Sequence, residues 1–194
     1  AASIITGQTA ETSIATDDLI LLSDTSASGA LKKMTRANFV SGIGGTNTPS
    51  WLAHNNSGDT ISTATYVKVE LDTVVHDTAS GFDTTNDKYT IPSGQGGYYQ
   101  LYGVVNARNT SNQIKTVQTI FYKNGSALSN KYAKTSVNNT DSGSGIFRGF
   151  SNTLTTTVNL SAGDYLEMYT YIDVTSGSAI VDEISYFGGN KLIT

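Results

Sequence analysis

The residues that could carry out chemistry in this chain are few and widely separated. The two histidines, His54 and His76, lie far apart in sequence, whereas a zinc site needs several converging His, Cys or carboxylate ligands. His76 and Asp77 are neighbours, and neighbours on a strand point to opposite faces. Cysteine is absent, and neither a G-x-S-x-G element nor a phosphate loop occurs. The sequence therefore predicts no enzyme, no metal and no cofactor.

Charged side chains in the polar segments have a simple interpretation. Three aspartates fall in predicted loops: Asp83, Asp87 and Asp141. They could offer oxygen ligands to calcium but lack the dense spacing of a dedicated site, which favours solvated carboxylates. The basic cluster of Lys32, Lys33 and Arg36 could pair with an acidic partner or form a solvated face.

Composition limits the class of protein. Of the 194 residues only 14% are charged, and the net charge is −4, which argues against a nucleic-acid partner because such proteins are basic. The 11 Tyr and 19 Gly with only 2 Pro are typical of strands and turns. The lack of cysteine and of an apolar signal segment near Ala1 favours assembly in a reducing cytoplasm, without membrane insertion.

Residues 1–45 differ from the rest of the chain. The apolar run Leu19–Leu22 and the segment Ala30–Met34 flank a turn cluster, which predicts a small hairpin. Thr35 is a predicted N-cap for a short helix over Arg36–Ser41. This arm is too small to hold a core alone, so we expect it to dock on a neighbouring subunit or a particle surface. Residues 46–49 are a predicted linker.

Strand signals recur from Ser50 to the C-terminus and predict an all-β sandwich over residues 50–194. The predicted elements are strands at 66–75, 89–91, 97–107, 117–122, 154–160, 165–172 and around 186–188, with polar loops at 77–87 and 136–145. Lys123-Asn124-Gly125 is a hairpin signal.

Alternation along these strands predicts which side chains form the core. Because side chains alternate across a strand, three sets are expected to face inward: Leu154, Thr156, Val158 and Leu160; Leu166, Met168 and Ile172; Tyr99, Leu101, Gly103 and Val105. Tyr165, Glu167, Tyr169 and Tyr171 then face the other way. Tyrosine has a large apolar body and a polar tip, which suits a subunit interface, although aromatic residues also favour strands through packing alone.

Five short motifs occur in a familiar order over residues 50–194. They are Tyr89-Thr90-Ile91-Pro92, Gly97-Tyr98-Tyr99-Gln100-Leu101-Tyr102, Tyr122-Lys123-Asn124-Gly125, Leu160-Ser161-Ala162-Gly163-Asp164 and Tyr186-Phe187-Gly188. In this order they resemble the tumour necrosis factor and complement globular-head superfamily. The resemblance implies a trimeric jelly-roll sandwich with Tyr186 near the threefold axis. The second axis aromatic of that family falls at about Thr153, which implies a more polar or water-filled axis.

The N-terminal segment resembles a different group. Asp17-Asp18-Leu19-Ile20-Leu21-Leu22-Ser23-Asp24, followed by Lys32-Lys33-Met34-Thr35 and Asn38-Phe39, is similar to the short leader of many tailed-bacteriophage virion proteins. The resemblance implies a virion structural protein, assembled in the bacterial host cytoplasm and anchored to the particle by its arm. The expected anchoring residues are Leu19, Leu21, Lys32, Lys33, Arg36 and Phe39.

These expectations combine into one functional hypothesis. The chain is interpreted as a homotrimer whose interface contains Tyr186, Thr153, Tyr169, Tyr171 and Tyr102, and whose partner is a major capsid protein or another virion protein. A leader close to Ala1 and the absence of room for a shaft favour a capsid decoration, or cement, protein. The alternative is the receptor-binding tip of a tail fibre or head fibre that recognises a host surface glycan or protein.

A carbohydrate-binding module is a further alternative from a different class. Jelly rolls commonly host glycan sites, and aromatic rings can stack on sugars, but the fold alone does not establish such a function. The candidate glycan contacts are Trp51, Tyr98, Tyr102 and Tyr132.

Overall fold

Alternating apolar and polar residues build two antiparallel sheets that pack face to face. The computed structural model describes residues 15, 17–24, 26, 29–41, 48–110, 113–129, 131–139 and 147–192. The chain divides into two compact units, Ala1–Thr46 and Asn47–Thr194. Asp141, residues 140–145 of the predicted second polar loop, and linker residues 46 and 47 lie outside the described part.

The N-terminal unit contains the predicted hairpin and helix. Strands β1 (Leu19–Asp24) and β2 (Ala30–Thr35) pair antiparallel, and α1 spans Arg36–Ser41. The Oγ1 of Thr35 accepts a hydrogen bond from the backbone N–H of Asn38 at 3.3 Å, as expected of an N-cap.

The second unit contains fourteen strands in its described residues. They are β3 (Ser50–His54), β4 (Asp59–Ile61), β5 (Tyr66–Lys68), β6 (Thr73–Asp77), β7 (Phe82–Asp83), β8 (Lys88–Thr90), β9 (Gly97–Asn109), β10 (Ile114–Lys123), β11 (Ser126–Ala127), β12 (Lys134–Asn138), β13 (Gly149–Leu160), β14 (Tyr165–Val174), β15 (Ala179–Val181) and β16 (Tyr186–Lys191).

These strands form a front sheet and a back sheet. The front sheet runs β13–β9–β16–β3–β6, with β15 pairing the far end of β9 and β4 pairing β15. In the back sheet β10 pairs with β14, β11 and β12, while β14 also pairs with β5 and β8, and β7 pairs with β8. The side of the front sheet that points away from the core is the front face, and the corresponding side of the back sheet is the back face.

Aromatic side chains from both sheets join the core. Trp51 of β3 stacks on Tyr89 of β8 with ring centroids 3.7 Å apart and contacts Phe187 edge-on at 5.9 Å. Phe187 also lies 5.2 Å from Phe121 of β10. All four are fully buried, so burial of large apolar surface holds the two sheets together.

The predicted inward-facing residues are confirmed by their burial. The sets on β9, β13 and β14 are buried: Tyr99, Leu101, Gly103 and Val105; Leu154, Thr156, Val158 and Leu160; Leu166, Met168 and Ile172. Between the sheets, Asn152 donates to Thr119 Oγ1 at 3.1 Å and accepts from Thr135 Oγ1 at 3.0 Å. This network satisfies a buried amide and links β13 to the back sheet.

Three local predictions are wrong. Residues 66–75 do not form one strand, because β5 pairs with β14 in the back sheet and β6 with β3 in the front sheet. The chain crosses between sheets at 69–72, where Val69 and Leu71 remain buried and imitate strand alternation. The loop predicted at 77–87 contains β7, and the loop predicted from 136 begins inside β12.

Candidate assembly surface

The front face is built by four adjacent strands that project side chains in register. Directly paired residues lie on the same side of a sheet. His54, Tyr186, Val104 and Thr153 therefore form one row across β3, β16, β9 and β13, and Leu52, Gly188, Tyr102 and Thr155 form the next. The structure thus brings Tyr186, Tyr102 and Thr153 together, although the chain separates them widely.

Two consecutive glycines of β16 make room for large rings on opposite sides of the front sheet. A Cβ on Gly188 would lie 2.6 Å from the Tyr102 ring, and a Cβ on Gly189 would lie 2.5 Å from Trp51. Both separations are shorter than real Cβ contacts, so each ring can occupy its position only because the residue facing it is glycine. The Tyr102 hydroxyl donates to Trp51 O at 3.4 Å, and burial, followed by the nearby Tyr186, raises the pKa of Tyr102.

Apolar side chains surround a shallow depression of about 650 Å³ on this face. Its lining includes Leu52, Val75, Tyr102, Ile184 and Tyr186, with His54 and Glu183 beside them. Val75 is 59% exposed, Ile184 60% and Tyr186 37%. Contiguous exposed apolar side chains on a soluble protein mark an interaction surface.

The predicted interface residues divide between the two sheets. Tyr169 and Tyr171 lie on β14 in the back sheet, whereas Tyr186, Tyr102 and Thr153 lie on the front face. The sandwich places the two groups in different sheets, so no single sheet face carries all five predicted interface residues. Ile184 was missed because its segment shows no clean alternation of apolar and polar residues, and Val75 because it was assigned to a single strand over residues 66–75 that the structure does not form.

The back-face tyrosines contact one another. Tyr122 and Tyr169 stack with centroids 3.9 Å apart, Tyr66 and Tyr171 are tilted at 5.4 Å, and the Tyr66 hydroxyl donates to Gln118. A nearby ion pair joins Lys68 Nζ to Glu167 Oε1 at 3.0 Å. Burial lowers the pKa of Lys68, but the hydrogen bond and charge of Glu167 outweigh it and hold the pKa above its usual value.

One predicted glycan contact is corrected. Trp51 is fully buried between Tyr89 and Phe187, so no sugar can stack on it. Tyr98 and Tyr132 are about half exposed, at 50% and 52%, and Tyr102 is half-buried on the front face.

The N-terminal unit distributes its predicted anchoring residues over more than one face. Leu21 pairs with Lys33 and Leu19 with Thr35, so these side chains share one face of the hairpin, whereas Lys32, the neighbour of Lys33, lies on the other face. Leu19 and Leu21 are 60% and 65% exposed, and Phe39 on α1 is 45% exposed. Arg36 is half-buried at the start of α1.

Groups with catalytic or metal-binding potential do not converge in the described residues. His54 and His76 come to adjacent strands, and His54 Nδ1 lies 2.9 Å from Asn55 O. No cluster of three His, Cys, Asp or Glu suited to a metal ion occurs in that part of the chain. In the same residues, no helix is long and apolar enough to cross a membrane.

Comparison with known proteins identifies the fold. The sequence matches no family model and no curated protein sequence. Murine APRIL, in structures at pH 8.0 and pH 5.0, superposes with a TM-score of 0.51 at 13% identity, covering 74% of this chain and 98% of APRIL. The globular domain of zebrafish complement 1qA protein gives a TM-score of 0.48 at 11% identity, covering 75% of this chain and 98% of that domain. The all-β prediction is confirmed, and the fold is a jelly roll like that of murine APRIL.

Proposed function

We propose that this chain is a structural protein of a bacteriophage particle that assembles into a homotrimer through its front face. The observation that carries the proposal is the exposed apolar surface around Tyr186, where Val75 and Ile184 are each about 60% exposed. Burying that surface against two further copies removes it from water, which is the main driving force of association. An interface of about 1,600 Å² per pair would be enough for a stable trimer.

Self-association fits the charges on this face. Its ion pair, Arg108 Nε to Asp182 Oδ2 at 2.9 Å, is satisfied within one chain, and Leu52, Tyr102, Val104 and Thr153 are uncharged. Among the residues that line the depression, Glu183 alone carries a negative charge, so like-charge repulsion between copies at the centre of the face is limited to this carboxylate. The sequence resemblance implies that the final-strand tyrosine lies near a threefold axis, and Tyr186 occupies the middle of this face.

The particle role rests on the N-terminal unit. This small unit exposes Leu19, Leu21 and Phe39, and so few residues cannot bury enough apolar surface alone. Three arms carrying these side chains, with Lys33 beside Leu21, would grip the surface of the particle. The leader resemblance supports a capsid decoration protein of the virion, and the competing role is the receptor-binding tip of a fibre.

Light scattering on the full chain tests the trimer. The expected mass is three times the 20.5 kDa of one chain at micromolar concentration. A mass of one chain over the whole concentration range would refute the trimer. Measurement at low and high salt adds a second criterion, because an apolar interface should persist at high salt whereas an ionic one weakens.

Copy number in purified virions tests the location. Many copies spread over the head indicate decoration, a few copies at a fibre end indicate a tip, and absence from the virion refutes the particle role. A glycan array separates the adhesin and sugar-binding alternatives, since a decoration protein should give no binding above background.

A further inference from the structure

Two turns at one end of the sandwich are held together by an interlock of Lys123, Asn124, Ser161, Asp164 and Tyr165. The β10–β11 turn has Asn124 at φ 52° and Gly125 at φ 74°, which is the left-handed backbone that Asn-Gly hairpins adopt. Asn124 Nδ2 donates to Asp164 Oδ1 at 2.8 Å, and Asn124 Oδ1 accepts from Tyr165 N at 2.9 Å. Lys123 Nζ lies 2.7 Å from Asp164 Oδ2, so both turns depend on the same few groups.

We propose that Asn124 is a modification site, a deamidation site that the interlock keeps unreactive while the protein is folded. Asn-Gly is the dipeptide most prone to this reaction, because glycine leaves its own backbone nitrogen unhindered, and Asn124-Gly125 is its single occurrence in the sequence. The Gly125 nitrogen loses its proton and attacks Asn124 Cγ, and a C–N bond forms to close a succinimide ring. The Cγ–Nδ2 bond then breaks, and Nδ2 leaves with that proton as ammonia. Water then opens the ring to aspartate or isoaspartate, so the net change is one water consumed and one ammonia released.

The geometry opposes the first step. Both polar atoms of the Asn124 amide are held, Nδ2 by Asp164 and Oδ1 by the Tyr165 N–H, so the carbon between them is not free to move onto the Gly125 nitrogen. Asp164 cannot follow this movement, because it also accepts the Ser161 N–H at 2.7 Å and pairs with Lys123. Reaction therefore requires local opening of the turns, and its rate reports the population of the open state.

The product prevents the interlock from closing again. A carboxylate in place of the Asn124 amide loses the Nδ2 donor and faces Asp164 Oδ1 at hydrogen-bond distance, where two negative charges repel. Isoaspartate also adds a backbone atom to a two-residue turn whose register is fixed by Lys123 pairing with Ser126. Each conversion therefore releases the hairpin irreversibly.

The test follows Asn124 in the full chain by peptide mapping at mildly alkaline pH, with native and urea-unfolded samples compared. We expect conversion to be at least roughly tenfold slower in the native chain, since losing even one charge-assisted hydrogen bond on opening corresponds to about that factor. Equal rates in the two samples would overturn the proposal. This comparison needs no variant and is independent of the proposed trimer and particle role.

Two variants test whether Asp164 is the residue that slows conversion of Asn124 in the folded chain. Asp164→Asn preserves the side-chain shape but removes the charge, and should accelerate conversion several-fold in a chain that remains folded by circular dichroism. Asp83→Asn is the matched control, because Asp83 also accepts an asparagine amide and a backbone N–H but lies outside the interlock, and it should leave the rate unchanged. Acceleration by both variants, or by neither, would contradict the conclusion that Asp164 keeps Asn124 unreactive.

Discussion

The front and back faces of this sandwich both carry tyrosines, but they use them differently. On the back face Tyr122 stacks on Tyr169, Tyr66 contacts Tyr171, and Ile120, the cross-strand partner of Tyr169, is only 2% exposed. On the front face Tyr186 stays 37% exposed beside Ile184 and Val75. A tyrosine-rich strand therefore does not by itself mark an interface. What distinguishes the two faces is whether each apolar surface finds its partner within the same chain.

The largest expected effect that distinguishes the front face from the back face is loss of assembly in the Ile184→Asp variant. A carboxylate buried in an apolar interface costs several kcal/mol, so association should weaken more than about a hundredfold. The unfolding free energy of the monomer should change by less than about 0.5 kcal/mol, because Ile184 is largely exposed in one chain. Sedimentation at several concentrations measures the association. Tyr132→Asp is the control, because Tyr132 is also more than half exposed, at 52%, but lies off the front face; it should leave the mass unchanged.

The back face should show the opposite behaviour on Tyr169→Ala. Removing this ring exposes Ile120 and takes away the stacking partner of Tyr122, at a cost of about 3 kcal/mol in unfolding free energy. Assembly should survive, since Tyr169 lies on the sheet opposite Tyr186. Urea unfolding in the Ile184→Asp background measures the stability without a contribution from association. If Tyr169→Ala instead dissociated the trimer at unchanged monomer stability, the assignment of the two faces would be reversed.

Acid should weaken the sandwich at a point away from both faces. Burial opposes ionisation of Asp164, but the hydrogen bonds from Lys123, Ser161 and Asn124 outweigh it and lower the pKa to about 2. Because the folded pKa is depressed, this stability is present above about pH 4 and is lost as pH falls through about 2. It amounts to roughly 2 kcal/mol.

Comparing wild type with Asp164→Asn from pH 5 to pH 2 isolates this contribution. Glu70, whose pKa is raised first by its hydrogen bond with Asp59, and Asp87, whose pKa is raised first by burial, titrate in both proteins and cancel. The stability difference should shrink towards pH 2. A difference that stays constant over this range would show that Asp164 gains nothing from its charge.

The smallest expected effect concerns how closely the central row of the front face packs between copies. Thr153 stands in the row of Tyr186 and Val104, where the family resemblance implies an aromatic residue. Thr153→Tyr adds apolar area to that row and should tighten association by roughly 1 kcal/mol, about fivefold. Thr155→Tyr, one row away on the same strand, is the comparison. Weaker association of Thr153→Tyr would mean that the row is already closely packed between copies.

The alternation along single strands was enough to assign the core. Leu154 to Leu160 and Leu166 to Ile172 bury the predicted side chains, since a strand of fixed period has only two faces and burial selects the apolar one. The Lys123–Gly125 turn was equally readable, because Asn-Gly supplies the left-handed backbone that a two-residue hairpin needs. The candidate surface was predicted only in part, because alternation tells which side of a strand is outside but not which sheet the strand joins.

The sequence by itself determined the all-β class, the N-terminal hairpin and helix, and the inward face of the long strands, all of which follow from local period, capping and turn chemistry. Only the tertiary structure decided that Trp51 is core, that Tyr169 and Tyr171 lie opposite Tyr186, and that Val75 and Ile184 join Tyr102 around one depression. Those outcomes depend on pairings between segments far apart in the chain, such as β16 with β3 and β9. No local pattern contains that information, because strand order is set by how all the apolar faces can be buried at once.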